Sequence, residues 1–165
     1  MRRLFCCLAL LVCLSAPAHA QKPKHKVGET TTVREFVLRD LKAYEDIARA
    51  TRLMIMPLFA PPPSAYGCDS ARAEAIITAS NTADSLLTYE KSVIGDPVIN
   101  WHLPIHIGDD ACTVILGRGM PSTGQDRQRV TTANGVTEVW YFDEGKEAFW
   151  FGLDGRRWIL TSVVQ

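Results

Sequence analysis

The run QRVTTANGVTEVWYFDEGKEAFWFGLDGRRWILTSVV, residues 128–164, decides the fold. Turn-forming residues interrupt it at Asn134-Gly135, Asp143-Glu144-Gly145 and Asp154-Gly155. Between them lie short runs of valine, tyrosine, tryptophan, phenylalanine and isoleucine, side chains that fit a pleated, half-buried surface. Four such runs joined by tight turns predict an antiparallel meander of four strands. Side chains alternate across a strand, so Trp140 and Phe142 share one face while Val139 and Tyr141 share the other. Phe149 and Phe151 oppose Trp150 in the same way. Both faces of the middle strands are therefore apolar. Helices are expected to cover one. The other is left to residues 95–125, to a partner or to solvent, and cover by the chain itself is the plainer expectation. The functional alternative is an aromatic binding surface, because tryptophan, tyrosine and arginine anchor protein contacts. Its candidate residues are Trp140, Tyr141, Phe149, Trp150 and Trp158, with Arg156 and Arg157 at a hairpin end.

Upstream the rhythm changes. In TTVREFVLRDLKAYEDIARATRLMIMPLF, residues 31–59, Val33, Val37, Leu41, Tyr44, Ala48 and Leu53 recur at helical steps, with charges on much of the other side. Thr31 or Thr32 with Glu35 resembles a capping box, and Pro57 marks the expected stop. The prolines of APPPSAYGC, residues 60–68, exclude a helix. Asp69 or Ser70 then caps a second helix, predicted over roughly residues 71–93 and ended by Gly95-Asp96-Pro97. Helices first and strands afterwards predict an α+β domain, residues 31–165, with two N-terminal helices followed by the meander.

The chain opens MRRLFCCLALLVCLSAPAHA. Two arginines, an apolar run and Ala18-His19-Ala20 have the layout of a signal peptide, residues 1–20, cleaved after Ala20. The run is too short for a membrane span, and no later segment reaches the ~20 apolar residues a span needs. Residue types before Cys13 do not match lipoprotein processing, and Cys6 and Cys7 lie too early. Residues 21–30 are polar and read as a flexible lead-in. Without Arg2 and Arg3, 16 basic residues face 18 acidic ones. That balance gives no footprint for nucleic acid or an anionic membrane. The expected location is the periplasm or the exterior. Two cysteines remain after cleavage, Cys68 and Cys112, and an oxidising compartment predicts a disulfide between them.

WHLPIHIGDDACTVILGRGMPS, residues 101–122, gathers metal-ligand residue types. His102 and His106 are four apart, a zinc spacing on a helix. Pro104 between them opposes a helix, and on a strand they would stand roughly 13 Å apart, too far for one metal. Asp109-Asp110 after Gly108 fits a turn or helix cap. No Gly-x-Ser-x-Gly elbow is present, and a triad of Ser122, His106 and an aspartate has no local motif behind it. GRGMPSTGQDRQR, residues 117–129, lacks both Walker and dinucleotide spacing and reads as a surface loop. No cofactor and no metal are expected.

From Ile107 onward the order of features resembles the SmpA/OmlA, or BamE-like, module. Ile107-Gly108 leads into DDACTVILG, which ends at Leu116-Gly117, and Pro121-Ser122 follows. Glu138-Val139-Trp140-Tyr141-Phe142 and Phe151-Gly152-Leu153-Asp154-Gly155-Arg156 stand where the module has its hairpin and last strand. The resemblance covers about the last third of the chain. Arg118-Gly119-Met120 intervene before the proline, the lipid-anchor cysteine is missing, and the helices over 31–94 are extra. It implies a helix over Asp110–Leu116 and a non-catalytic envelope binding module, like those in outer-membrane assembly accessories and in secreted protein inhibitors of enzymes. It carries over no catalytic residue.

The leading expectation is therefore an exported bacterial envelope protein that binds another protein, as an assembly accessory or as an inhibitor or immunity protein. The alternative is a small periplasmic hydrolase or ligand-binding domain with a pocket between helices and sheet that uses His102 and His106.

Overall fold

The computed structural model describes residues 24–52, 61–121 and 126–165. The signal segment 1–20 with its cleavage point, Pro57 and Ser122 lie outside them. In chain order the elements are β1 (Thr30–Thr32), α1 (Val33–Arg52), a 3₁₀ turn (Pro63–Tyr66), α2 (Ser70–Ala79), β2 (Leu86–Thr88), β3 (Glu90–Lys91), β4 (Pro97–Val98), α3 (Ala111–Arg118), β5 (Arg127–Thr132), β6 (Gly135–Phe142), β7 (Glu147–Asp154) and β8 (Arg157–Val164). This is the α+β arrangement expected, with helices in the N-terminal half and a four-stranded antiparallel meander at the end.

The meander runs in the order β5-β6-β7-β8. Trp140 stands opposite Phe149 on one side and Arg127 on the other. Phe151 faces Glu138 on β6 and, past an irregularity at Trp150/Phe151, Leu160 on β8. The first hairpin turns one residue earlier than its Asn134-Gly135 signal predicts. Ala133 and Asn134 make the turn, and Gly135 opens β6 at a φ of 134°, which a side chain would strain.

One face of the sheet builds the core. Trp140, Phe149, Phe151, Trp158 and Leu160 pack with Val33, Val37 and Leu41 of α1, Ala73 and Ile77 of α2, and Val114 and Ile115 of α3. The entry of α1 is fixed by a reciprocal capping box. Thr32 Oγ1 accepts from the Glu35 N–H at 3.2 Å, and a Glu35 carboxylate oxygen accepts from the Thr32 N–H at 3.1 Å. Asp69 caps α2 by accepting from the Arg72 N–H at 2.8 Å, and Asp110 caps α3 by accepting from the Thr113 N–H at 3.0 Å. The helix expected at Asp110–Leu116 is α3. Cys68 and Cys112 stand at disulfide distance, S–S 2.12 Å, with both residues buried.

Three expectations are corrected. The second helix stops at Ala79 and does not reach residue 93. There the Ser80 hydroxyl donates to the Ile77 carbonyl at 2.8 Å and Asn81 adopts a φ of 55°, so local side-chain bonding wins over the apolar spacing that continues beyond it. Leu86–Thr88 instead pairs with Thr30–Thr32. The lead-in 21–30 is also held from Gly28 on, because the Gly28 N–H donates to the Tyr89 carbonyl at 2.8 Å and the Tyr89 N–H to the Glu29 carbonyl at 2.9 Å. Residues 101–106 form no strand; Pro104 withholds a ladder donor.

α3 approaches the segment before it closely at Gly117. A Cβ there would lie 2.5 Å from the Leu103 carbonyl oxygen and 3.0 Å from the Ile105 side chain. Gly117→Ala is expected to cost about 1–3 kcal/mol by overpacking. An unchanged urea midpoint would show that this contact has room to relax.

Candidate functional site

The meander has two unlike faces, and the sequence-predicted surface residues divide between them. Trp140 is fully buried, and Phe149 and Trp158 are nearly so, all on the face beneath the helices. These three are removed from the candidate surface. Of the segment 95–121, Ala111, Cys112, Val114 and Ile115 join the same core as the helices. On the outer face, Val139 stands opposite Trp150 and Gln128. Trp150 is 38% exposed, Val130 44% and Val164 54%. Tyr141 is half-buried there, and its hydroxyl donates to the Gln128 side-chain oxygen at 3.3 Å. Arg156 and Arg157 are exposed at the β7–β8 turn. Asp154 stands opposite Arg157 at that end, while the central positions Val139, Tyr141, Trp150 and Ile159 carry no charge. The outer face is thus apolar in the middle, with polar groups at one end.

Behind the sheet lies a polar cluster that sequence reading missed. Glu138 is the one charged residue among the described residues that are buried. One of its oxygens accepts from the Tyr66 hydroxyl at 2.5 Å and from Trp140 Nε1 at 2.8 Å. The other accepts from Arg129 Nε at 2.8 Å. Arg127 bonds the Tyr66 hydroxyl and lies 3.4 Å from the first oxygen. Burial pushes the Glu138 carboxyl up, but the bonds from Tyr66, Trp140 and Arg129 and the charge of Arg127 outweigh it and hold it below the usual carboxylate range. The Tyr66 phenol moves the opposite way, raised by burial and by donating to that carboxylate. A visible signal was parity: Glu138 shares its strand face with Trp140 and Phe142, where an apolar residue was due.

No family model, curated protein or solved structure matches this chain.

The histidines of residues 101–122 line different grooves. His102 borders a groove of about 170 Å³ with Phe36, Asp40, Tyr44, Trp101 and Arg118. Its Nδ1 lies 3.3 Å from the Gly117 carbonyl. His106 borders one of about 420 Å³ with Arg72, Ile76, Leu103 and Asp109. The His106 N–H donates to Asp109 Oδ2 at 2.7 Å, and its ring nitrogen lies 3.8 Å from the same oxygen. Asp110 is occupied by Arg72, whose Nη2 donates to it at 2.5 Å. Burial raises the Asp110 carboxyl, yet the Thr113 N–H and Arg72 hold it low. Arg118 is engaged by Glu147 at 2.6 Å and by Asp143, and its guanidinium lies over the Phe142 ring at 5.4 Å. Among the described residues, no three of histidine, cysteine, aspartate and glutamate gather as a metal site, and no helix is long and apolar enough to cross a membrane.

Proposed function

We propose that this chain is a non-catalytic protein-binding module of the bacterial cell envelope, exported after cleavage following Ala20, and that it meets its partner through the outer face of the meander. The single observation that carries the reading is that face: an uncharged apolar centre around Tyr141 and buried Val139, on which Trp150, Val130 and Val164 stand exposed. Exposed apolar patches with an aromatic anchor mark contact surfaces, and arginines suit their rims. Arg156 and Arg157 supply that rim. The Cys68–Cys112 pair fits an oxidising compartment. The BamE-like order of Ile107-Gly108, the helix Ala111–Arg118 and the last two strands is in keeping with such a module. The partner is an envelope component or an enzyme that the module inhibits. The two histidines line separate grooves, so the enzymatic alternative gains no shared pocket from them.

The test is capture of a partner from periplasmic extract by the mature chain, repeated with Trp150→Ala combined with Tyr141→Ala. The double variant is expected to keep its far-ultraviolet circular dichroism and to bind the captured partner at least about 30-fold more weakly, the loss of one hot spot. A folded double variant that captures as well as the parent removes the outer face from the reading.

A further inference from the structure

We propose that β5 is a docking edge for an extended segment of the partner, one whose alternate residues are acidic. The proposal rests on the protein-binding reading above and states how the partner engages.

A four-stranded sheet has two edges, and here they are treated differently. The β8 edge is closed in its middle. The Gly108 N–H donates to the Leu160 carbonyl at 2.8 Å, the Leu160 N–H donates to the Asp109 carbonyl at 2.8 Å, and Asp110 bridges Ile159. Among the described residues, β5 pairs with β6 alone. Proteins blunt open edges with proline, charged side chains (lysine above all) or bulges. The β5 sequence RQRVTT holds no proline or lysine, its two arginines are drawn to the Glu138 carboxylate, and its register with β6 is unbroken from Arg127 to Thr132. Six residues offer about 20 Å of ladder at about 3.3 Å per residue. Adding a strand to such an edge supplies main-chain hydrogen bonds for affinity and side-chain contacts for specificity.

The side chains choose the occupant. Arg127 and Arg129 point to the same side as Glu138, and they share that one carboxylate. This cluster therefore carries one more cation than anion. The Arg129 side chain is 52% exposed, and its guanidinium lies over the Trp158 ring at 5.1 Å. A residue on an added strand opposite Arg129 would bring its Cβ within about 4.5–5.5 Å, inside the reach of a glutamate. The intervening residues would meet Gln128 and Val130 and so extend the outer face that carries Tyr141 and Trp150. A second copy of this chain is the poorer fit, since joining two β5 edges sets one surplus of arginine against the other.

The probe is an end-blocked peptide of four Val-Glu repeats, titrated into the isotope-labelled mature chain, with four Val-Lys repeats as the comparison. Expected are shifted amide signals confined to residues 127–132 and their β6 partners, slowed hydrogen exchange at alternate β5 amides, and binding at least tenfold tighter than the lysine peptide. Arg129→Gln and, on the other side of the strand, Gln128→Glu should each weaken binding several-fold. Equal binding of the two peptides, shifts centred elsewhere, or self-association of the protein through the same amides overturns the proposal. The outer-face reading is judged separately, because Trp150→Ala with Tyr141→Ala reports on partner capture and not on this peptide.

Discussion

Glu138→Ala is expected to lose about 3–5 kcal/mol of stability, the cost of removing one partner from a buried charge cluster. The carboxylate accepts from Tyr66, Trp140 and Arg129 at 2.5–2.8 Å. Its removal strands a buried indole N–H and phenol and leaves two guanidiniums side by side. A stability of 5–15 kcal/mol for an ordinary domain leaves little margin for that loss. Glu138→Gln keeps the shape and one acceptor but loses the charge, and should fall between the alanine variant and the parent. The carboxyl of Glu138 is held below its ordinary range in the fold. A group lowered by folding stabilises above its unfolded value, about 4.3 for glutamate, and that contribution fades as pH falls through the lower folded value. The parent should therefore lose stability faster than Glu138→Gln below about pH 4. Urea midpoints of both proteins between pH 7 and pH 3 measure this. Parallel acid slopes would mean that Glu138 is not the carboxylate whose protonation matters.

The second large effect belongs to Cys68 and Cys112, which are 44 residues apart in sequence. In the chain-entropy model, closing a loop of about 45 residues is worth roughly 4 kcal/mol, gained by restricting the unfolded chain. The double change Cys68→Ala with Cys112→Ala should lower the unfolding free energy extrapolated from urea titration by an amount close to that, with a slope altered by the more expanded unfolded chain. Reduction and alkylation of the denatured mature protein should add two alkyl groups to its mass, and none before reduction. Alkylation of unreduced, denatured protein at both positions would show free thiols and remove the expectation.

Much of the fold was legible because its signals are local. Turn residues bracket each strand of the meander, and Thr32 with Glu35 announces α1 in four consecutive residues. Where the sequence misled, two local codes overlapped. Ala83, Leu86 and Tyr89 continue a helical spacing past Ala79, yet Ser80 and Asn81 end the helix there and Leu86–Thr88 joins β1. The candidate surface was only half legible. Alternation separated Trp140 from Tyr141 and Phe149 from Trp150 within their strands, and the register then sets Trp140 beside Phe149. Which set the helices would cover is a tertiary fact, and no spacing encodes it. Glu138 escaped for the same reason: its three donors come from Tyr66, Arg129 and Trp140, and the first is 72 residues away.

The long reach of these contacts has a consequence for time. Hairpins close among neighbours and form fast, whereas contacts between distant residues wait for loop closure. Cys68 and Tyr66 meet partners on α3 and β6, so the first half of the chain has little to dock on until the last third is present. Both sulfurs end with almost no solvent exposure. An oxidant must therefore reach the thiols before the meander seals over them. Refolding of the reduced chain should accelerate bond formation only while the core is still open, and chains that pack first should keep their thiols trapped.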